Sequence, residues 1–314
     1  ATTGEKESIL TSFAAMAWES SGDLGNPWLD RLPGVLAGVI LRKTIEQHFV
    51  SSLGGEVHAY SPAGLNLHFL RPACRASRHG KKGCVVFLHG GGFLGGAPSQ
   101  FYPYAKAVSR QYGIPTVCCE VSCVLTHPRA KVPLESVEDA RRCVKYLQEK
   151  ADDLGLDREK IVLAGASSGG HTAAMAALGA EEPGLGLAGL FLFNPVLDLQ
   201  FRESWQERRW CTWLGTLALQ LRFGKETLDD ESPILRARRL PQPMLILHGT
   251  EDQLVPLREV KHFQEKMELH GSDCKLVTFP GEGHFFFNWR VSPVNFHRCV
   301  CLLGDFLKEV GVLR

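Results

Sequence analysis

Six apolar runs of strand length, spaced by stretches long enough for a helix or more, set the architecture open to this chain. They are Cys84–His89, Thr116–Val121, Ile161–Gly165, Ala188–Phe193, Met244–His248 and Lys275–Phe279. The runs are continuous in Val, Ile, Leu and Phe rather than alternating between apolar and polar. That pattern suits strands buried on both faces of a parallel sheet. Amphipathic helices are predicted over Gln100–Tyr112, Leu134–Asp152, Ser168–Gly179, Leu257–His270 and Pro293–Val310. Repeated strand-then-helix units imply an α/β protein with a doubly wound, mostly parallel sheet and right-handed crossovers. Ligands of such sheets bind beyond the carboxyl ends of the strands, so the chemistry is to be sought in the loops there.

Two segments break the rhythm. Residues 1–45 carry Trp18, Trp28 and the apolar run Leu36 to Leu41, and read as a helical cap segment. Residues 199–240 carry Trp205, Trp210, Trp213, Leu217, Leu219 and Leu221, and read as a cap insertion. The catalytic core is then 46–198 together with 241–314. The alternative is that both segments are surface helices covering a sheet edge. A cap rich in Trp and Leu would line an apolar pocket, which makes Trp205, Trp210 and Trp213 candidate substrate-lining residues.

Composition narrows the partners. The 314 residues are 44% hydrophobic and carry a formal net charge of +1, so nothing electrostatic favours nucleic acid or an anionic membrane. The longest apolar stretches are too short to span a bilayer. The ten cysteines form no CxxC pair and no zinc spacing, and several sit within apolar runs. Mostly free thiols in a reducing, cytoplasmic setting are expected. No charged-then-apolar leader pattern opens the sequence, and the start at Ala1 leaves a removed leader open.

Three loops carry chemistry. Gly165-Ala166-Ser167-Ser168-Gly169 follows one strand and opens a helix. A serine on such a sharp turn has its hydroxyl exposed, and the helix lends its first N–H groups to negative charge forming nearby. His89-Gly90-Gly91-Gly92-Phe93 ends an earlier strand. Its glycines can turn backbone N–H groups into open space, and with the Ser168 N–H they would surround an oxyanion. Asp252, in His248-Gly249-Thr250-Glu251-Asp252, and His284, in Gly281-Glu282-Gly283-His284-Phe285, follow the last two strands. The order Ser, Asp, His is that of a nucleophile-elbow enzyme. Glu251 is the rival carboxylate, and helix capping is the other use of Asp252. His89, His171 and His248 lie beside these motifs and are assigned local hydrogen bonding. Phe93 and Phe285 join the three tryptophans as candidate substrate-binding residues.

From about Gly83 onward the chain resembles the α/β-hydrolases, specifically the HGGG carboxylesterases of the hormone-sensitive-lipase and bacterial acetyl-esterase type. His127-Pro128, Glu138-Asp139-Ala140 and Gly155-Leu156-Asp157 add to the likeness. The resemblance implies an eight-stranded, mostly parallel sheet with a helical cap. It makes Ser167 the nucleophile, Asp252 the orienting acid and His284 the base, with Gly91, Gly92 and Ser168 as the oxyanion hole. It implies hydrolysis of small-molecule esters of short to medium chain through an acyl-enzyme, without metal or organic cofactor. Two departures bear on the substrate: Ala-Ser-Ser at the elbow, where many members have Asp-Ser-Ala, and Glu120-Val121-Ser122, where a Tyr-Arg pair is common. The same triad on this fold also cleaves N-formyl amides in kynurenine-formamidase-like relatives, and receptors of the fold bind small ligands without turnover. Some members pair through their last strand and helix, so a homodimer is among the expectations. Phe285–Phe287 would suit such an edge or the core equally.

Overall fold

The apolar runs become neighbouring strands of one sheet. The computed structural model describes residues 57–60, 64–72, 81–127, 130–179, 184–202, 220–221 and 224–314. Its strands are β1 (Val57–Tyr60), β2 (Leu67–Leu70), β3 (Lys82–Leu88), β4 (Thr116–Cys119), β5 (Leu156–Ala166), β6 (Gly189–Phe193), β7 (Met244–Gly249) and β8 (Cys274–Phe279). They form an eight-stranded sheet in the order β1-β2-β4-β3-β5-β6-β7-β8. β1 and β2 pair antiparallel, as do β2 and β4, and every later pairing is parallel.

The helices are α1 (Tyr102–Tyr112), α2 (Leu134–Glu149), α3 (Ala151–Leu154), α4 (Ser168–Leu178), α5 (Lys225–Asp230), α6 (Leu257–Leu269) and α7 (Pro293–Glu309). Alternate strand residues feed two separate cores. Val86, Leu88, Leu163 and Ile246 pack with Val144 of α2, Ala174 of α4 and Phe263 of α6. Val85, Phe87, Val162 and Phe191 pack with Val108 of α1 and Leu303 and Phe306 of α7. A strand with a helix layer on each side needs apolar residues at every position, which is why the runs are continuous.

The predicted boundaries shift where side chains or turns compete with the ladder. β4 ends at Cys119: the Glu120 N–H still reaches the Asn66 carbonyl across from β2, but the Val121 N–H turns away to His89 Nε2. β5 starts at Leu156 rather than Ile161, since Leu156 already pairs with Lys82. The helix expected over Leu134–Asp152 breaks at Lys150 into α2 and α3. A 3-10 turn, Pro98–Phe101, precedes α1.

α4 is buried along its whole length. Its last carbonyls, on Met175, Ala176 and Leu178, accept from the Arg141 and Arg238 guanidiniums, which bring positive charge to the helix end that carries partial negative charge. Phe286 and Phe287 are buried among Phe279, Phe193 and Phe101, so they serve the core rather than an edge.

The predicted cap segment 1–45 and the tryptophans Trp205, Trp210 and Trp213 lie outside the described residues. Where residues 199–240 are described, Asp198 pairs with Arg202, which also meets Asp229 of α5, and the 3-10 turn Pro233–Leu235 bonds to the Leu197 carbonyl. Cys84, Cys118, Cys119, Cys123, Cys143, Cys274, Cys299 and Cys301 are free thiols. Among the described residues, no helix is long and apolar enough to cross a membrane.

Candidate active site

Ser167 occupies the turn between β5 and α4 with φ 53° and ψ −119°. That left-handed conformation costs a non-glycine residue about 1–3 kcal/mol and must be held by its surroundings. The hold is visible on both sides. The Ser167 N–H donates to the Phe193 carbonyl, and the Ser167 carbonyl accepts from Val196. The turn is tight enough that its glycines are obligatory. A Cβ on Gly165 would lie 2.3 Å from the Gly169 carbonyl oxygen, and one on Gly169 would lie 2.3 Å from that of Leu88.

The loops after β7 and β8 bring the other two residues to the same sheet edge. His284 Nε2 is 3.1 Å from Ser167 Oγ, and His284 Nδ1 is 2.7 Å from Asp252 Oδ2. Asp252 Oδ1 accepts from the Leu254 and Val255 N–H groups, both at 2.9 Å. Burial pushes the Asp252 carboxyl up, but His284, His248 and the Val255 amide together outweigh it and hold the group below its ordinary value. Asp252 is therefore ionised and accepts from His284 Nδ1, which leaves Nε2 facing the Ser167 hydroxyl.

The match to known proteins decides the family. Residues 85–288 fit the family described as alpha/beta hydrolase fold. The chain belongs to that family. This α/β-hydrolase is 27% identical to Esterase LipC of Mycobacterium tuberculosis over 215 residues, which cover 64% of this chain and 52% of LipC. It is 25% identical to Acetyl esterase of Salmonella choleraesuis over 240 residues, or 72% of this chain and 69% of the relative. A thermophilic esterase of Thermogutta terrifontis, Est2, is similar in structure with a TM-score of 0.70 and 31% identity, over 83% of this chain and 94% of Est2. Est2 has been solved with propionate bound, with butyrate bound and phosphonylated by sarin. The α/β-hydrolase described here spans about half the length of LipC.

The glycine loop of this α/β-hydrolase arches over the elbow. Gly91 has φ 128° and Gly92 φ 60°, and a Cβ on Gly91 would lie 2.2 Å from the Gly95 carbonyl oxygen. His89 braces the loop, with Nδ1 donating to the Gly90 carbonyl and Nε2 accepting from Val121. The Gly90 N–H is taken by Gln100 Oε1. Ser168, at the first turn of α4, is buried beside Ser167.

The three flanking histidines do have local roles. Besides His89, His248 Nε2 donates to the Val255 carbonyl and His171 Nε2 to the Glu231 carbonyl. Glu251 is exposed and enters only through its N–H, which donates to the Glu282 carbonyl. Phe93 is buried, with φ 63°, and its ring meets His171 edge-on at 5.0 Å. Phe285 is half-buried and stands edge-on to His284 at 5.1 Å. One contact escaped the sequence reading: Asn194, just past β6, reaches both ring nitrogens of His284. Its only signal is an asparagine at a strand's carboxyl end. Among the described residues, no group of three His, Cys, Asp or Glu side chains is gathered to hold a metal ion.

Proposed function

We propose that this α/β-hydrolase is a serine carboxylesterase acting on short- to medium-chain esters. The carrying observation is the continuous relay from Ser167 Oγ through His284 to Asp252, at 3.1 and 2.7 Å. His284 takes the Ser167 proton as the hydroxyl attacks the acyl carbonyl. The oxyanion that forms is met by the N–H groups of Gly91, Gly92 and Ser168. Protonated His284 then gives its proton to the leaving alcohol, and an acyl-enzyme remains on Ser167. Water, deprotonated by the same imidazole, releases the acid. No step calls for a cofactor. The esterases among the relatives support the reaction class, and the propionate and butyrate bound by Est2 support short acyl groups.

The test is a series of p-nitrophenyl esters from acetate to palmitate, with wild type and Ser167→Ala in parallel. Wild type is expected to prefer the shorter acyl chains. Ser167→Ala is expected to lose on the order of a thousandfold or more. Wild-type rates from Ser167→Ala would sink the mechanism, and a preference for palmitate would sink the substrate class.

A further inference from the structure

Asn194 lies immediately beyond β6, fully buried, in a left-handed backbone conformation with φ 34°. Its Nδ2 is 2.9 Å from His284 Nδ1 and 2.8 Å from His284 Nε2. Neither ring nitrogen is open to it in the ring plane. Nδ1 is directed to Asp252 Oδ2 and Nε2 to Ser167 Oγ. An atom equidistant from both nitrogens cannot lie in that plane without striking Cε1, which sits between them. The amide therefore lies across the face of the imidazole. Its other end, Oδ1, is buried with no hydrogen-bond partner.

A buried amide with one end unsatisfied and the other on a neutral ring is a poor use of a polar side chain. The balance changes when the ring is charged. The two ends of the amide have the same shape, so a half-turn about χ2 exchanges them and brings the oxygen, the negative end of the dipole, onto the ring. An imidazolium would welcome that oxygen at its face and its Cε1–H, a charge–dipole contact that outweighs leaving the NH2 in the position the oxygen vacates. We propose that Asn194 is a positioning residue for His284, turning its amide oxygen to the imidazole when the ring is protonated and so favouring the charged state through which acyl transfer passes. This rests on the reading of Ser167 and His284 as nucleophile and base. The other groups facing the ring are Asp252 from the loop after β7 and Ser167 from the elbow. His248 of β7 stands behind Asp252, its Nε2 3.5 Å from Oδ2. Glu282 lies on the ring's own loop.

Asparagine tolerates left-handed backbone better than most residues, so it could be present for the turn alone. Two variants separate the uses. Asn194→Gly keeps the backbone freedom and removes the amide. Asn194→Asp keeps shape and oxygen but adds negative charge. For Asn194→Gly, kcat on p-nitrophenyl butyrate is expected to fall on the order of tenfold with little change in KM. The acid limb of its kcat/KM profile is expected to move down by about one pH unit. In Asn194→Asp the acid limb is expected to move up, with kcat recovering most of the loss. An Asn194→Gly enzyme with wild-type kcat and an unmoved limb overturns the proposal. So does an Asn194→Asp limb that stays put or moves down, an arm that stands even if the glycine variant does not fold. Labelling of wild type by a fluorophosphonate is run alongside. An unlabelled, inactive wild type overturns the triad reading itself, whereas a labelled wild type with an indifferent Asn194 overturns this inference alone.

Discussion

Asp252 presents one carboxylate oxygen to His284 Nδ1 at 2.7 Å, while its other oxygen is fixed by the backbone N–H groups of Leu254 and Val255. Those two donors dictate what an isosteric replacement can do. In Asp252→Asn the amide oxygen must face the backbone donors, so the NH2 faces Nδ1. The ring would then have to accept at Nδ1 and carry its proton on Nε2, where it cannot take the Ser167 proton. We expect kcat to fall on the order of a thousand- to ten-thousandfold near neutral pH, with the fold intact. Steady-state kinetics together with near-ultraviolet circular dichroism would check it. A loss of less than tenfold would show that the carboxylate does not set the tautomer.

Gly169 packs where β3 passes beneath the elbow. A methyl group there would lie 2.3 Å from the Leu88 carbonyl oxygen and 2.4 Å from that of His89. Neither is the tip of a side chain that could swing aside. Gly169→Ala is expected to destabilise the protein by roughly 1–3 kcal/mol through overpacking. It should also reduce activity, because His89 leads directly into the glycine loop. Urea midpoints compared with wild type would measure the first effect. An unchanged midpoint would mean that the strand and the elbow are more loosely packed than the structure has them.

His171 gives the molecule an acid sensitivity. Burial holds its imidazole down to about 4, a shift only partly offset by the bond to the Glu231 carbonyl. The ring is neutral in the folded protein, whereas in the unfolded chain it titrates near 6.5. Between those values the unfolded state binds the extra proton. The contribution to stability is therefore complete above about pH 6.5 and is lost as the pH falls towards 4, by up to roughly 3 kcal/mol. Replacing His171 with Leu should flatten the wild-type decline over that window, whatever it does to stability at pH 7. Unfolding free energies by urea at several pH values would show it, and parallel curves for the two proteins would refute it.

What could be read from the residues alone followed the strength of the local pattern. β3, β6, β7 and the part of β5 from Ile161 onward are apolar runs, and their positions were legible because burial on both faces leaves little room for polar interruption. β1 and β2 were not legible. Each has four residues, and Val57-His58-Ala59-Tyr60 and Leu67-His68-Phe69-Leu70 carry histidines that break the apolar pattern. They are strands because β4 offers an edge to β2 and β2 in turn to β1, a tertiary cause that no local window contains. The turn residues Ser167, Asp252 and His284 were legible because each sits at a strand end among glycines. Asn194 was not, since its importance lies in a ring that arrives from 90 residues further along the chain. The bracing of α4 by Arg141 and Arg238 escaped for the same reason.

The backbone bonding around the three loops divides the machinery into two parts. The loops bearing Asp252 and His284 are laced together beyond the end of the β7–β8 ladder: the Thr250 N–H donates to the Phe279 carbonyl, that of Glu251 to the Glu282 carbonyl, and that of Gly281 to Thr250 Oγ1. Ser167 is laced instead to the end of β6. Asp252 and His284 are thus held together on the β7–β8 side, and Ser167 on the β6 side, with the Asn194 N–H to Leu247 carbonyl bond crossing between them. A strain that shears β7 against β6 would leave the Asp252–His284 pair whole and change how far its imidazole stands from Ser167 and from Asn194. The side chains that fill the seam between β6 and β7 therefore help set the spacing between Ser167 and His284.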